Sequence, residues 1–185
     1  MKDQVKVSDQ ASAAMQMRNG ADESLDVHGF FTAVCHGADG KVKWREDFCN
    51  TVMTLGKNDI LDKYLKGAAY TQTIRMGLKG AGVQVAGDTQ ASHGSWLEVG
   101  LANLPTYTGN RKDVTMGAAS AGASVSPGQV FAITGTGTVA GCFINNGGSA
   151  TIDNTTGVLF SAGDFSVSRS VISGDTITVT YTLNA

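Results

Sequence analysis

The stretch that decides the fold is the last one, GVLFSAGDFSVSRSVISGDTITVTYTLNA, residues 157–185. In its final segment Ile177, Val179, Tyr181 and Leu183 alternate with Thr176, Thr178, Thr180 and Thr182. Successive side chains of a strand point to opposite faces, so this unbroken period of two predicts one core face and one hydroxyl-bearing face. Ser173-Gly174-Asp175 just before it is turn chemistry, and residues 157–160 and 165–171 read as further strands. A long Thr-rich strand at a sheet edge invites another chain to pair with it. It is therefore expected inside a sheet or paired at a dimer interface.

Working outward, residues 129–148 hold two apolar runs, 130–133 and 139–144, separated by Gly and Thr. Such runs suit strands covered on both faces. Residues 25–35 and 41–55 read as strands joined by HGADG, residues 36–40, whose Asp-Gly is a hairpin signal. In GKNDILDKYLKG the period changes: Ile60, Leu61, Tyr64 and Leu65 fall on one helical face. Asn58 or Asp59 is placed to cap the first turn and Gly67 to end the last, so a short helix is expected near 58–66. Strands resume at residues 71–80 and 95–103 around the polar loop AGDTQASH, and residues 113–128 are small-residue strand and loop. Strands at roughly ten-residue spacing predict an all-β fold, a β-sandwich of the jelly-roll kind. Residues 1–22 are polar and read as an extended N-terminal arm. Its Val5, Val7, Met15 and Met17 form no amphipathic stripe. Residues 23–185 are expected to form one sandwich domain.

Composition bounds the function. The chain has 185 residues, enough to bury about 70% of the surface its unfolded form exposes without disulfide staples. Fourteen basic and 16 acidic residues leave a net charge of −2, which argues against a nucleic-acid partner held through phosphates. Twenty-four Gly against two Pro suits a β-protein rich in turns. Charged residues are only 16%, below the usual quarter, as fits a surface that is either small or largely covered by partners. No run of eighteen apolar residues predicts a membrane helix, and MKDQVKVSDQ is read as carrying no secretory signal. Cys35, Cys49 and Cys142 are an odd, widely spaced set, expected as reduced thiols in a protein made in a cytoplasm.

The search for chemistry returns little. His28, His36 and His93 lie apart, and no CxxC, HxxxH or HxH spacing marks a metal site. SHGSW at residues 92–96 is only a loose likeness of a nucleophile elbow. GTGTVAG at residues 135–141 has the wrong spacing for a dinucleotide loop, and strand-like CFI follows where a helix is required. Asp59 and Asp62 beside Lys63 and Lys66 read as a solvated charge pattern. Asn154-Thr155-Thr156 matches a glycosylation sequon by pattern only. No catalytic, cofactor-binding or metal-binding residue is assigned, and an enzyme is not expected. Trp44 and Trp96 are candidate contact residues, since Trp buries a large face while its indole N–H stays wet. Core filling is the simpler use of each.

Three stretches read together carry a likeness. GKNDILDKYLKGAAYTQTIRMGLKG at residues 56–80, DTQASHGSWLEV at 88–99 and AGDFSVSRSVISGDTITVTYTL at 162–183 resemble a family of tailed-bacteriophage virion structural proteins. The likeness runs from about residue 55 onward, is loose over 104–127 and is weakest over the first fifty residues. It implies a capsid cement or decoration protein on the capsid exterior of the virion, bound across major capsid protein subunits as a homo-oligomer, dimer or trimer. The alternatives are a tail or head-fibre component, or a carbohydrate-binding β-sandwich using Trp44, Trp96 or Tyr107 as a sugar platform. The absence of heptads and long repeats favours cement over a fibre shaft. Contact residues are expected in the arm, at Val5, Val7, Met15 and Met17, and at Trp44 and Trp96.

Overall fold

The computed structural model describes residues 26–70 and 73–185. The expected arm, with Val5, Val7, Met15 and Met17, lies outside the described residues. The elements run β1 (His28–His36), β2 (Val42–Cys49), β3 (Thr51–Val52), α1 (Thr54–Tyr64), β4 (Ile74–Lys79), β5 (Glu98–Val99) and β6 (Lys112–Val114). They continue as β7 (Ala123–Val125), β8 (Gln129–Ala132), β9 (Gly137–Asn146), β10 (Val158–Val171) and β11 (Thr176–Asn184). All assigned strand pairs are antiparallel and form two sheets. One has the order β2-β1-β11, with β7 and β8 sharing the far side of β11; the other is β3-β10-β9-β4, with β5 and β6 both on β4.

The sheets face each other across one core. Phe31, Ala33, Cys35, Ile177, Val179 and Tyr181 come from the first sheet and Met76, Leu78, Val139, Cys142 and Ile144 from the second, in a single apolar cluster. The all-β sandwich is thus formed as the alternation in residues 176–183 requires. The pairing is nested: β1 with β11, β3 with β10 and β4 with β9. Nesting of first with last is shared with jelly rolls, although here β9 and β10 also form a hairpin within one sheet. The Thr-rich β11 is internal, between β1 and the β7 and β8 pair, so its edge is closed within the subunit.

Several expectations change in detail. The strand expected over 41–55 breaks at Asn50, where the chain crosses from one sheet to the other. Asn50 accepts the Gly29 N–H at 2.7 Å and donates to the Tyr181 hydroxyl at 2.9 Å, which pins the corner. The helix starts at Thr54, not near 58, and Met53 stands at its N-cap without a side-chain cap. The Met53 N–H instead binds the Phe160 carbonyl at 2.9 Å, so a tertiary bond replaces the local signal. Asp59 is mid-helix and bonds Asn146. Gly67, at φ 66, does end the helical segment as expected. The strands expected at 157–160 and 165–171 are one long β10. β9 is buried through its apolar run, but β8 is not, with Val130 52% exposed.

Candidate interaction surface

The outer faces of the two sheets differ. On the six-stranded sheet the outward side chains of β4 and β9, among them Lys79, Phe143 and Asn145, are buried beneath residues 80–111 and 148–157. The stretch DTQASHGSWLEV, residues 88–99, belongs to this cover. Trp96 packs with Phe143, Leu159, Met53 and Ala162 in a second small core. Its indole N–H donates to Asp88 at 3.0 Å, and the His93 ring stacks on it at 4.0 Å. Lys79, fully buried, pairs with Asp164, donates to the Gly82 carbonyl at 2.6 Å and lies 5.4 Å from the Trp96 ring. Glu98 and Arg111 form a bidentate pair at 2.8 and 2.6 Å, both side chains buried. Arg111 also donates to the carbonyls of Ser149 and Asn154, and Glu98 accepts the Asp153 N–H at 2.8 Å. Every one of these groups has its partner inside the protein. These polar residues therefore tie a loop layer to a sheet.

The outer face of the five-stranded sheet has no such loop layer among the described residues and is largely open, with Thr182 alone of its row residues buried. Across β2, β1, β11 and β7 one row reads Cys49, Phe30, Thr182, Val125, and the row across β2, β1, β11 and β8 reads Arg45, Val34, Thr178, Val130. Asp47, Thr32 and Thr180 lie between them. Phe30 is 39% exposed, Val125 47% and Val130 52%. The centre of the face holds no charged side chain. Arg45 and Asp47 sit on the β2 side, where Asp47 accepts from the Thr32 hydroxyl at 2.5 Å. A sheet face of hydroxyls and β-branched carbons, with no charge to desolvate at its centre, suits broad contact with another protein.

The expected contact residues fare unevenly. Trp96 is 1% exposed and serves as core, which corrects its assignment to an interface. Trp44 is half-buried, edge-on to Phe165 with the Arg169 guanidinium 5.9 Å from its ring. Tyr107 is 4% exposed, so neither Trp96 nor Tyr107 offers a sugar platform. The open-face residues Phe30, Val34, Val125 and Val130 were not singled out by sequence. β1 reads FFTAV, apolar on both faces, and only its register with β11 tells which side is outside.

Among the described residues no group of three or more His, Cys, Asp or Glu is arranged to hold a metal. Cys35 and Cys142 are buried and Cys49 is exposed. Burial, with Asp175 nearby, pushes the Cys35 thiol up to about 11, and burial pushes Cys142 up as well. No described helix is long and apolar enough to cross a membrane. Compared with protein-family models, with curated proteins and with solved structures, the chain matches none.

Proposed function

We propose that this is a structural protein of a tailed-bacteriophage virion, a capsid decoration protein that lays the open face of its five-stranded sheet against the major capsid protein. The observation that carries the proposal is the asymmetry of the sandwich. One outer face is sealed by its own loops through buried ion pairs, whereas the other is uncharged at its centre and leaves Phe30, Val125 and Val130 exposed. The resemblance of residues 56–80, 88–99 and 162–183 to virion proteins supports the same role. Binding only to correctly juxtaposed shell subunits stabilises that arrangement by mass action. Many weak contacts repeated over a lattice add as avidity, so no single residue needs a deep pocket.

The test is a purified virion. Band densities against the major capsid protein are expected to give on the order of hundreds of copies per particle, where a fibre gives a few dozen at most. Thr180→Lys, at the centre of the open face, is expected to abolish shell occupancy while the free protein keeps its melting temperature. Electron microscopy showing no copies on the shell removes the proposal, and a few copies at a tail or vertex reassigns the protein to a fibre.

A further inference from the structure

A groove of about 260 Å³ opens beside α1 at one end of the sandwich, lined by Ile60, Tyr64, Ile74, Ile144, Phe160 and Leu183. Its walls are apolar, with Asp59 and Lys63 on the helix side. The helix beside it leaves Leu61 45%, Leu65 73% and Tyr64 85% exposed. These are residues whose helical spacing marks a face for burial, yet no described segment buries them. The occupant is indicated by where the described chain begins. Val27 packs into the core, and Gly29 pairs with Leu183, a residue of the groove wall. The described chain therefore begins at the groove's own end, with 25 residues of sequence before Asp26.

Length permits the return. An extended chain covers about 3.3 Å per residue, so fewer than ten residues span a helix the length of α1, and 25 reach far beyond it. A segment tethered this close meets the groove at an effective concentration on the order of millimolar, above that of a free partner. Met15 and Met17 stand ten and eight residues before Leu25, within that span. Methionine is unbranched and fills irregular apolar gaps. We infer that the groove beside α1 is the seat of the chain's own N-terminal segment, with Met15 and Met17 entering between the helix and the sandwich. The groove is separate from the open sheet face, so this inference and the proposed function fail or stand independently.

The experiment uses the full chain with a photo-crosslinking amino acid at Tyr64, which lines the groove yet is 85% exposed, so its replacement leaves the core intact. Equal amounts of nitrogen-14 and nitrogen-15 protein are mixed, irradiated, digested and read by mass spectrometry. Links from position 64 to peptides within residues 1–25 are expected, nine-tenths or more of them joining like isotopes. Met15→Asp together with Met17→Asp is expected to reduce those links at least tenfold, while Lys2→Ala leaves them unchanged. Isotope-mixed links would show a second copy in the groove and overturn the inference. So would links that survive the double substitution, or no links to residues 1–25.

Discussion

Glu98 and Arg111 meet out of contact with water, and each is satisfied from several sides. Removing one partner of such a pair strands the other charge in a low-dielectric site, at a cost of about 3–5 kcal/mol. Arg111→Ala is therefore expected to lower the unfolding free energy from urea titration by that amount, whereas Arg45→Ala on the open face stays within about 0.5 kcal/mol. A small effect at Arg111 would mean that water reaches the pair. Glu46 carries a different prediction. Burial alone raises a carboxyl, but the Ser166 N–H and the Arg169 guanidinium, at 2.7 Å, outweigh it and hold Glu46 below its ordinary 4.5. A depressed folded value means a stabilisation fully present above 4.5 and lost as pH falls through the folded value. The stability gap between the wild-type chain and Glu46→Gln is expected to narrow as pH is lowered from 6 to 3 in denaturant titrations. A gap that widens contradicts this assignment.

At the scale of elements, α1 sets local propensity against packing. Gly56 lies in its first turn, and a methyl there would stand 2.5 Å from the Phe160 carbonyl oxygen, the same oxygen that holds the Met53 N–H. In an open helix alanine is preferred to glycine by about 1 kcal/mol. Forcing atoms into a filled site costs about 1–3 kcal/mol, and here the obstacle is backbone rather than a side chain that can swing away. Gly56→Ala is expected to destabilise by about 1–2 kcal/mol in thermal unfolding, with far-ultraviolet circular dichroism unchanged; a stabilised variant would show that β10 yields. The same helix marks the limits of reading sequence. Its stop at Gly67 was legible because φ > 0 is written in the residue type. Its start was not, because Met53 is held by a strand more than a hundred residues away. Likewise β11 was legible, since threonine and apolar residues separate cleanly by face. β1 was not, because Phe30 and Phe31 look alike until register with Thr182 and Tyr181 sends one out and one in. Trp96 read as a possible anchor because its cover is a loop network that no local period announces.

Over the whole molecule, the two sheets differ in how their outer faces are covered. The six-stranded sheet is backed by residues 80–111, so it has a core on both sides, and its buried ion pairs fix the loop layer in one arrangement. The five-stranded sheet has a core on one side only, and its outer rows run from Cys49 and Phe30 to Val125. Cys49 makes that face measurable without any substitution. It is the one exposed thiol of the three, while Cys35 and Cys142 are sealed inside, so a maleimide reports on Cys49 alone in the folded protein. Its neighbour across the strand pair is Phe30, which places the thiol in the patch proposed to lie on the shell. If that face meets the capsid, modification of Cys49 is expected to slow at least about tenfold on particles relative to the free protein, since a thiol excluded from solvent reacts only when the contact opens. Release from the particle should restore the free rate. An equal rate on and off the particle would place the contact elsewhere on the molecule, even if the protein were found on the shell.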